Sequence, residues 1–218
     1  MSLVIVGAGP NLGLAVARRF GREGFSVGLV SRTQAKLDDL AAQLEAEGIT
    51  AAGAAADIRD AEALAAAIEA LAGRLGEVEV LEYSPLPARE FMKPILETSV
   101  DDVRGPLEFS VLGAVAAARA VLGPMQAAGR GTILFTTGGA AIDPYPLRAG
   151  VGISFAGEVA YARMLHDELA DSGIHVAHTA IGGRIAPGMD HEPGDVADLL
   201  WLHHIDRGAF QTRLGIPG

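Results

Sequence analysis

The stretch Leu3-Val4-Ile5-Val6-Gly7-Ala8-Gly9-Pro10-Asn11-Leu12-Gly13 decides the fold. Its four aliphatic residues predict a buried strand, and apolar residues at helical spacing follow Gly13. A glycine turn between strand and helix points backbone N–H groups and the positive helix end at one place, which suits a pyrophosphate. We expect Gly7 to form the turn, Gly9 to let a ligand approach, and Gly13 to let helix and strand pack closely. With Asn11 and Leu12, these glycines predict a nucleotide-binding loop, the alternative being a turn with a structural role only.

Working outward from this loop, short apolar runs alternate with long alanine-rich amphipathic stretches. The alternation predicts an α/β fold in which helices cover both faces of a parallel sheet. We expect one Rossmann-type, doubly wound domain over residues 1–218, with about six strands and no clear seventh. The predicted strands are 3–6, 26–30, 50–55, 78–83, 131–136 and 175–181; the predicted helices are 12–22, 34–47, 61–75, 100–128 with a break near Gly105-Pro106, 152–172 and 195–207.

Composition and charge argue against several classes of protein. The chain has 17 Lys and Arg against 27 Asp and Glu, a formal net charge of −10 that disfavours nucleic-acid binding. The absence of cysteine excludes disulfides, thiolate metal sites and cysteine nucleophiles. The histidines show no ligand spacing typical of a metal site. No run of about 18 apolar residues and no basic leader are found, so we expect a cytoplasmic protein without a metal or a membrane span.

The end of the second predicted strand bears on the choice of cofactor. Ser31 and Arg32 follow that strand, where this kind of fold meets the adenosine ribose. A hydroxyl and a guanidinium suit a 2′-phosphate, whereas an acid would suit the 2′-hydroxyl of NAD. The sequence therefore favours NADP(H) over NAD(H), with a solvated turn as the alternative for Arg32. After the third strand, Asp57 offers a carboxylate to the adenine amino group and Ile58 an apolar wall, unless this segment is a plain surface turn.

These features together resemble the short-chain dehydrogenase/reductase family from Met1 to about Gly183. The resemblance rests on the glycine loop, Ser31-Arg32, Asp57-Ile58, the helix from Leu112-Gly113 to Arg119-Ala120-Val121-Leu122, and Gly173-Ile174-His175-Val176. It implies an oxidoreductase acting on a small carbonyl or alcohol substrate. Family members use a Ser to bind the substrate oxygen, a Tyr as acid/base, and a Lys four residues further on.

The chain departs from the family pattern at the residues that carry this chemistry. Val151 and Phe155 stand where the Tyr and Lys are expected, Ser110 aligns with the family's asparagine, and Tyr83-Ser84-Pro85-Leu86 replaces Asn-Asn-Ala-Gly. General acid catalysis contributes typically ~10²–10⁴-fold, so the loss of the Tyr puts the standard mechanism in doubt.

The remaining candidates lie near the ends of the fourth and fifth strands. Thr137 falls where the family's serine pair would be and is the candidate for holding a substrate oxygen. Tyr145, on the next loop, is the candidate replacement for the missing phenol, with an apolar cover for the site as the alternative. Tyr83 and Ser84, where ligands bind in open α/β folds, are candidates for contact with the cofactor.

Residues 183–218 form a short C-terminal region, in which we expect a thin substrate lid and one helix. The family commonly forms dimers through its two long helices, so we expect a homodimer through small residues on those helices: Ala114, Ala116, Ala117, Ala118, Ala120, Ala156, Gly157, Ala160 and Ala162. The lack of a clear seventh strand argues against larger assemblies. Two other functions stay open: a catalytically silent dinucleotide-binding protein, and a domain that binds a different phosphate ligand.

Overall fold

The computed structural model describes residues 1–216 and contains one seven-stranded sheet, in which each neighbouring pair of strands is parallel. The strand order is β3-β2-β1-β4-β5-β6-β7. The strands are β1 (Ser2–Val6), β2 (Ser26–Ser31), β3 (Ala51–Ala55), β4 (Val78–Tyr83), β5 (Gly131–Gly138), β6 (Ile174–Ile181) and β7 (Gln211–Leu214). The helices are α1 (Leu12–Gly21), α2 (Gln34–Ala46), α3 (Ala61–Leu75), α4 (Val100–Leu107), α5 (Gly113–Ala128), α6 (Ala149–Glu168) and α7 (Pro193–Asp206). The prediction of a Rossmann-type doubly wound sheet is confirmed.

The sheet has a seventh strand, for which the sequence carried no clear signal. Gln211–Leu214 pairs with β6 from His178 to Ile181 and extends the sheet at its edge. The sequence signal was weak because this short strand alternates only partly and carries Gln, Thr and Arg, as exposed edge strands commonly do. Because this strand is present, the lack of a seventh strand no longer argues against assemblies larger than a dimer.

The sheet separates two apolar cores, one on each face. The residues that α1, α2 and α7 turn inward join Leu3, Ile5 and Val80 in one core. In the other core, α3, α5 and α6 pack against Val4, Leu81 and other strand residues whose side chains point to the opposite face of the sheet. Because successive side chains of a strand point to opposite faces, strands covered on both sides read as continuous apolar runs.

The region from Val100 to Ala128 is helical throughout but changes geometry in the middle. Pro106 lies inside α4, and a π-helical segment, Glu108–Leu112, joins α4 to α5. The predicted break thus takes the form of a π segment directly after the proline. This helical region is long and apolar enough to cross a membrane by length and composition, and half of its most apolar window is buried within the protein. Packing of Ala114, Ala117 and Ala118 on the sheet accounts for that composition.

The strand order creates a crevice at the carboxyl edge of the sheet. From β1 the chain goes outward in one direction to β2 and β3, and then returns to the other side of β1 for β4 to β7. The loops that follow β1 and β4 therefore leave in divergent directions, and such a switch point is where open α/β sheets bind ligands.

Candidate functional site

The glycine loop fills this switch point and turns the chain from β1 into α1. Gly7 has a φ of 98°, and a Cβ there would lie 2.5 Å from the Cα of Pro85, so any side chain would collide with the backbone after β4. A Cβ at Gly13 would lie 3.0 Å from the Cα of Ala8. A Cβ at Gly9 would meet nothing closer than an oxygen 4.0 Å away. The loop is therefore tightly packed at Gly7 and Gly13 and open at Gly9.

The amino end of α1 adds a positive partial charge beside the open part of this loop. Asn11 precedes the helix without a side-chain capping bond, and Leu12 is its first residue. The first N–H groups of a helix have no partner within the helix, and α1 has no acidic residue in its first turn. The N–H of Leu14 donates to the carbonyl of Gly9 over 2.9 Å, and those of Leu12 and Gly13 remain available to an anion.

A cavity of about 320 Å³ opens beside the glycine loop. Pro10 and Asn11 line one side, and Pro187 and Pro193, from the C-terminal region, line another. Arg18, Arg19 and Arg22 of α1 also line the cavity, together with Asp198 of α7. Arg18 and Arg19 form ion pairs with acidic residues, Arg19 with Asp198 itself. The short segment after β6 thus helps to enclose the space next to the loop.

Ser31, Arg32, Asp57 and Ile58 lie at the ends of β2 and β3. The N–H of Ala56 donates to the Ser31 carbonyl over 3.0 Å and so holds the two strand ends together. Ser31 is half-buried, whereas Arg32 and Asp57 are exposed. Within residues 1–216 Arg32 forms no ion pair. Ile58 is buried, with only 8% of its surface exposed, so little of it is available as a wall for a ring.

Tyr83 lies inside the core rather than at the open edge. Its side chain is fully buried, its hydroxyl donates to the carbonyl of Phe109 in the π segment, and its ring contacts Phe135. Burial is the main cause of a pKa well above the usual value for tyrosine. The expected contact between this side chain and a cofactor is not available in the structure, because the strand turns residue 83 toward α5.

Ser84, the residue after β4, lies beside the glycine loop. Its N–H donates to the carbonyl of Val6 over 3.0 Å, and its hydroxyl donates to Oε2 of Glu82 over 2.8 Å. Ser84 is half-buried. It therefore connects the open crevice to a buried carboxyl group.

The positions where the resemblance places a Tyr and a Lys are apolar and buried on α6. Val151 and Phe155 each expose only 4% of their surface. A Cβ at Gly138, the last residue of β5, would lie 3.3 Å from the Phe155 ring. Nearby, the hydroxyls of Ser110 and Ser154 are 3.4 Å apart in the buried interior. A phenylalanine ring thus fills the space between α6 and the end of β5.

Thr137 belongs to a chain of hydrogen bonds across three strands. Its Oγ1 is 2.8 Å from Nε2 of His178 on β6, and Nδ1 of that ring is 3.1 Å from Nε2 of Gln211 on β7. Burial lowers the pKa of His178 to about 4, so the ring is neutral at physiological pH. If the Gln211 amide donates to Nδ1, the imidazole carries its proton on Nε2 and donates it to Thr137, which leaves the Thr137 hydrogen free.

Tyr145 lies apart from this chain of hydrogen bonds. It precedes the short 3₁₀ turn Pro146–Arg148 in the loop after β5, and it exposes 54% of its surface. Among the described residues its hydroxyl forms no hydrogen bond with another side chain, and none with Thr137 in particular. The two residues predicted to carry the chemistry therefore differ sharply in burial.

Two buried glutamates escaped the sequence reasoning. Glu82, on β4, is fully buried, and burial raises its pKa to about 8. Glu158, on α6, is 1% exposed; burial raises its pKa well above the usual range, while a hydrogen bond from Ser110 opposes that rise. For Glu82 the signal in the sequence was the pair of acids, Glu79 and Glu82, inside an otherwise apolar strand, Val-Glu-Val-Leu-Glu-Tyr. Within residues 1–216 no group of three or more His, Asp or Glu residues is arranged to hold a metal ion.

Comparison with known sequences places the chain among dehydrogenases. The family model "short chain dehydrogenase" matches residues 2–193. The chain is 31% identical over 193 residues to a very-long-chain 3-oxoacyl-CoA reductase of Neurospora crassa, a match that covers 85% of this chain and 56% of that protein. It is 26% identical over 192 residues to dehydrogenase/reductase SDR family member 4 of Sus scrofa, covering 88% and 66%. The chain thus spans less than two thirds of the length of these two relatives.

Solved structures agree with this fold over nearly their full lengths. A short-chain dehydrogenase from Rhodopseudomonas palustris is 28% identical, with a TM-score of 0.86 and coverage of 100% of this chain and 98% of the other. L-Sorbose reductase from Gluconobacter frateurii, solved with NADPH and L-sorbose, has a TM-score of 0.89 at 20% identity, covering 100% and 95%. The strand order, the glycine loop and the match over residues 2–193 lead to one assignment. The chain belongs to the short-chain dehydrogenase family.

Proposed function

We propose that this protein is an oxidoreductase that binds NADP(H), acts on a small carbonyl or alcohol compound, and uses a proton donor other than a Tyr-x-x-x-Lys pair. The observation that carries the proposal is the glycine loop at the β1–β4 switch point. The loop is open at Gly9 and lies next to the amino end of α1, whose positive partial charge is not balanced by an acidic residue in the first turn. Family membership supports the class of reaction.

NADP(H) is proposed over NAD(H) because of the residues at the end of β2. The Ser31 hydroxyl and the free guanidinium of Arg32 suit a 2′-phosphate, and no acidic residue follows β2 directly. The L-sorbose reductase structure, which has the same fold, contains NADPH. When bound, this cofactor supplies or accepts the hydride, and the chain has to hold and orient it.

Thr137 is proposed to hold the substrate oxygen at the end of β5. Its hydrogen bond to His178 fixes the threonine rotamer, and the tautomer described above frees its hydrogen for an acceptor. Tyr145, on the adjacent loop, is one candidate proton donor. Its exposure and lack of hydrogen bonds within the described residues leave its hydroxyl unoriented in this structure.

We also propose that the protein acts in the cytoplasm as a homodimer through α5 and α6. Four of the small residues expected at that interface, Ala114, Ala117, Ala118 and Ala162, are already buried in the core and cannot contribute. The outward surface instead combines exposed Ala156 and Ala160 with Leu112, Ile153 and Met164, which are 44–64% exposed. Light scattering at micromolar concentration is expected to give the mass of a dimer. Replacing Ile153 with Glu is expected to shift that mass toward the monomer, and a monomeric wild type would contradict this proposal.

Titration with the four nicotinamide dinucleotides, followed by a carbonyl substrate panel, tests the proposed reaction. We expect binding of NADPH, seen as a change in its fluorescence, that is tighter than binding of NADH, and slow turnover of some carbonyl compound. Binding without any turnover would favour a catalytically silent dinucleotide-binding protein. No binding of any of the four would contradict both functions.

A further inference from the structure

The Glu82 carboxyl is buried at the end of β4 with unused hydrogen-bonding capacity. Its Oε2 accepts a hydrogen bond from the Ser84 hydroxyl over 2.8 Å. Its Oε1 has no hydrogen-bond partner among the described residues. Burying a polar atom without a partner is costly, and an ionised carboxylate is costlier still, so Glu82 is neutral in this environment.

Two more unpartnered oxygens lie at the neighbouring strand ends. Thr136 of β5 and Thr179 of β6 are directly paired in register and both are buried. Neither hydroxyl forms a hydrogen bond of good geometry among residues 1–216, although that of Thr136 is near enough to the Glu82 carboxyl to lower its pKa. By strand parity, both point to the same face of the sheet as Glu82. Native structures leave few buried polar groups unpaired, so such a cluster at the ligand-binding edge calls for an explanation.

Ser84 connects this buried cluster to the crevice. It lies one residue beyond the last paired residues of β4 and β5, Tyr83 and Phe135, and its backbone packs against the glycine loop, since a Cβ at Gly7 would lie 2.9 Å from the Ser84 carbonyl carbon. Thr137, the proposed holder of the substrate oxygen, is two residues beyond Phe135 on the adjacent strand. Neighbouring strands are about 4.8 Å apart, so both residues border the same part of the edge, although by strand parity the Thr137 side chain points to the face of the sheet opposite Glu82.

The charged groups around Glu82 are few. Helix α1 turns only Gly13, Leu14, Val16, Ala17 and Phe20 inward on this face. Helix α7 turns His203 and His204 inward from its last turn, and His204 is bonded to Thr132 near the opposite end of β5. Across the sheet, Glu158 of α6 is the other buried carboxyl, and the charge of Glu82 raises the pKa of Glu158. No cation is bonded to Glu82 among the described residues; the hydroxyls of Ser84 and Thr136 favour its ionised form, and burial outweighs them.

We propose that Glu82 and Ser84 form a proton relay that serves the carbonyl oxygen of the substrate during reduction, an inference that rests on the proposed oxidoreductase function. The relay requires this hydrogen bond to be reversed, so that the protonated Oε2 of Glu82 donates to Oγ of Ser84, 2.8 Å away, and the Ser84 hydrogen turns toward the substrate. With a bound NADPH as the source of the hydride, the carbonyl oxygen would take the proton of the Ser84 hydroxyl while Ser84 takes the proton of the Glu82 carboxyl. The products are the alcohol, NADP⁺ and the Glu82 carboxylate, which regains a proton from water before the next turnover. Oxidation of an alcohol runs through the same steps in reverse.

The relay accounts for features that Tyr145 does not. A donor for a neutral-pH reduction is most effective when its pKa is near the working pH, and burial brings Glu82 into that range. The carboxyl group is held by a hydrogen bond at a fixed position in the fold, whereas the Tyr145 phenol is exposed.

Infrared titration reads the proton on Glu82 without any turnover. The C=O stretch of protonated carboxyl groups is followed from neutral to alkaline pH in the wild type, Glu82→Gln and Ser84→Ala. We expect a band at neutral pH that is missing in Glu82→Gln, fades near pH 8 and shifts in Ser84→Ala because a hydrogen bond is lost. Glu158→Gln is the matched control, since it removes a buried carboxyl on the other face, and it should leave this band in place. Absence of the band at neutral pH, or no shift in Ser84→Ala, would overturn the relay.

Kinetics then test whether the relay serves the reaction. With a carbonyl compound that the wild type reduces, Glu82→Gln and Ser84→Ala are expected to lower kcat by roughly 10²–10⁴-fold, while the Kd of Glu82→Gln for NADPH stays close to that of the wild type. The pH profile of the wild type should fall as Glu82 ionises, and that of Glu158→Gln should fall in the same way. Wild-type rates in Glu82→Gln, or a selective loss in Glu158→Gln or Tyr145→Phe, would overturn the relay alone. A wild type that fails to bind NADPH or to reduce any carbonyl compound is a different outcome, because it contradicts the proposed function and removes the relay with it.

Discussion

Arg32 shows how a single exposed residue can select a ligand. Its guanidinium lies at the end of β2, beside the half-buried Ser31 and without an ion pair inside the described part of the chain. An unpaired guanidinium next to a predicted ribose site contributes nothing evident to folding, and a 2′-phosphate would give it a partner.

Replacing Arg32 with Asp is expected to weaken NADPH binding by about 1.5–3 kcal/mol, the scale of a charge-assisted hydrogen bond, and to affect NADH less. Fluorescence titration with both cofactors measures the difference. Arg74→Asp, an exposed arginine in the last turn of α3 near the opposite edge of the sheet, is the control and should leave both affinities unchanged. An equal loss for both cofactors in Arg32→Asp would contradict the assignment.

At the level of single residues, the sequence predicted positions better than orientations. Ser84 and Tyr83 both lie at the end of β4 as expected, but Tyr83 points into the core and Glu82 points to the other face. A strand covered on both sides is apolar at every position, so alternation cannot tell which face a side chain takes. His178 was missed for a related reason, since its role depends on Gln211 in a strand that the sequence did not reveal.

The junction of the π segment with α5 is under a tight steric constraint. A Cβ at Gly113 would overlap the Tyr83 hydroxyl and lie 2.9 Å from the carbonyl oxygen of Ile58. The hydroxyl of Tyr83 donates to Phe109 within the π segment, so the glycine and the tyrosine fit each other. The sequence predicted a break in this helix from Pro106, but it could not specify a π segment, which depends on these contacts.

Gly113→Ala is expected to lower the free energy of unfolding by about 1–3 kcal/mol, because the methyl group must displace a buried hydrogen-bonded side chain. Chemical denaturation measures the change. Gly73→Ala in α3 is the matched control: a Cβ there meets no atom within 4 Å, so the better helix propensity of alanine should raise the free energy of unfolding by up to about 1 kcal/mol. Equal effects of the two substitutions would show that the predicted overlap is relieved at no cost.

Buried titratable groups make the stability of the whole molecule depend on pH from both sides. Burial lowers the pKa values of His175 and His178 to about 4, so the unfolded chain binds more protons than the folded one between about pH 4 and the ordinary value of 6.5. Burial raises the pKa of Glu82 from 4.5 to about 8. Between these two pH values the folded chain keeps a proton on Glu82 that the unfolded chain releases. The histidines therefore raise the free energy of unfolding as the pH rises through 6.5. Glu82 lowers the free energy of unfolding as the pH rises toward 8.

We therefore expect the free energy of unfolding to decline as pH rises above about 7.5. There the histidines are neutral in both states, while Glu82 and Glu158 keep protons in the folded chain that the unfolded chain has released. Glu82→Gln should make this decline shallower, because glutamine does not titrate and only the contribution of Glu158 remains. Glu97→Gln, which changes an exposed glutamate, should leave it as in the wild type. Urea denaturation at a series of pH values measures the slope, and an unchanged decline in Glu82→Gln would contradict the assignment of a neutral Glu82.

The strand order also has a consequence for how the chain acquires its structure as it leaves the ribosome. After β1, β2 and β3 have formed one half of the sheet, β4 pairs with the free side of β1, and β5, β6 and β7 each pair with the strand synthesised just before. Every new strand therefore pairs with an edge strand that is already part of the sheet, and no existing strand pair has to separate. The glycine loop exists from the first helix onward, whereas Thr137 gains His178 only with β6, and His178 gains Gln211 only with β7. A nascent chain halted before residue 211 would carry the cofactor loop complete and the proposed reaction centre unfinished.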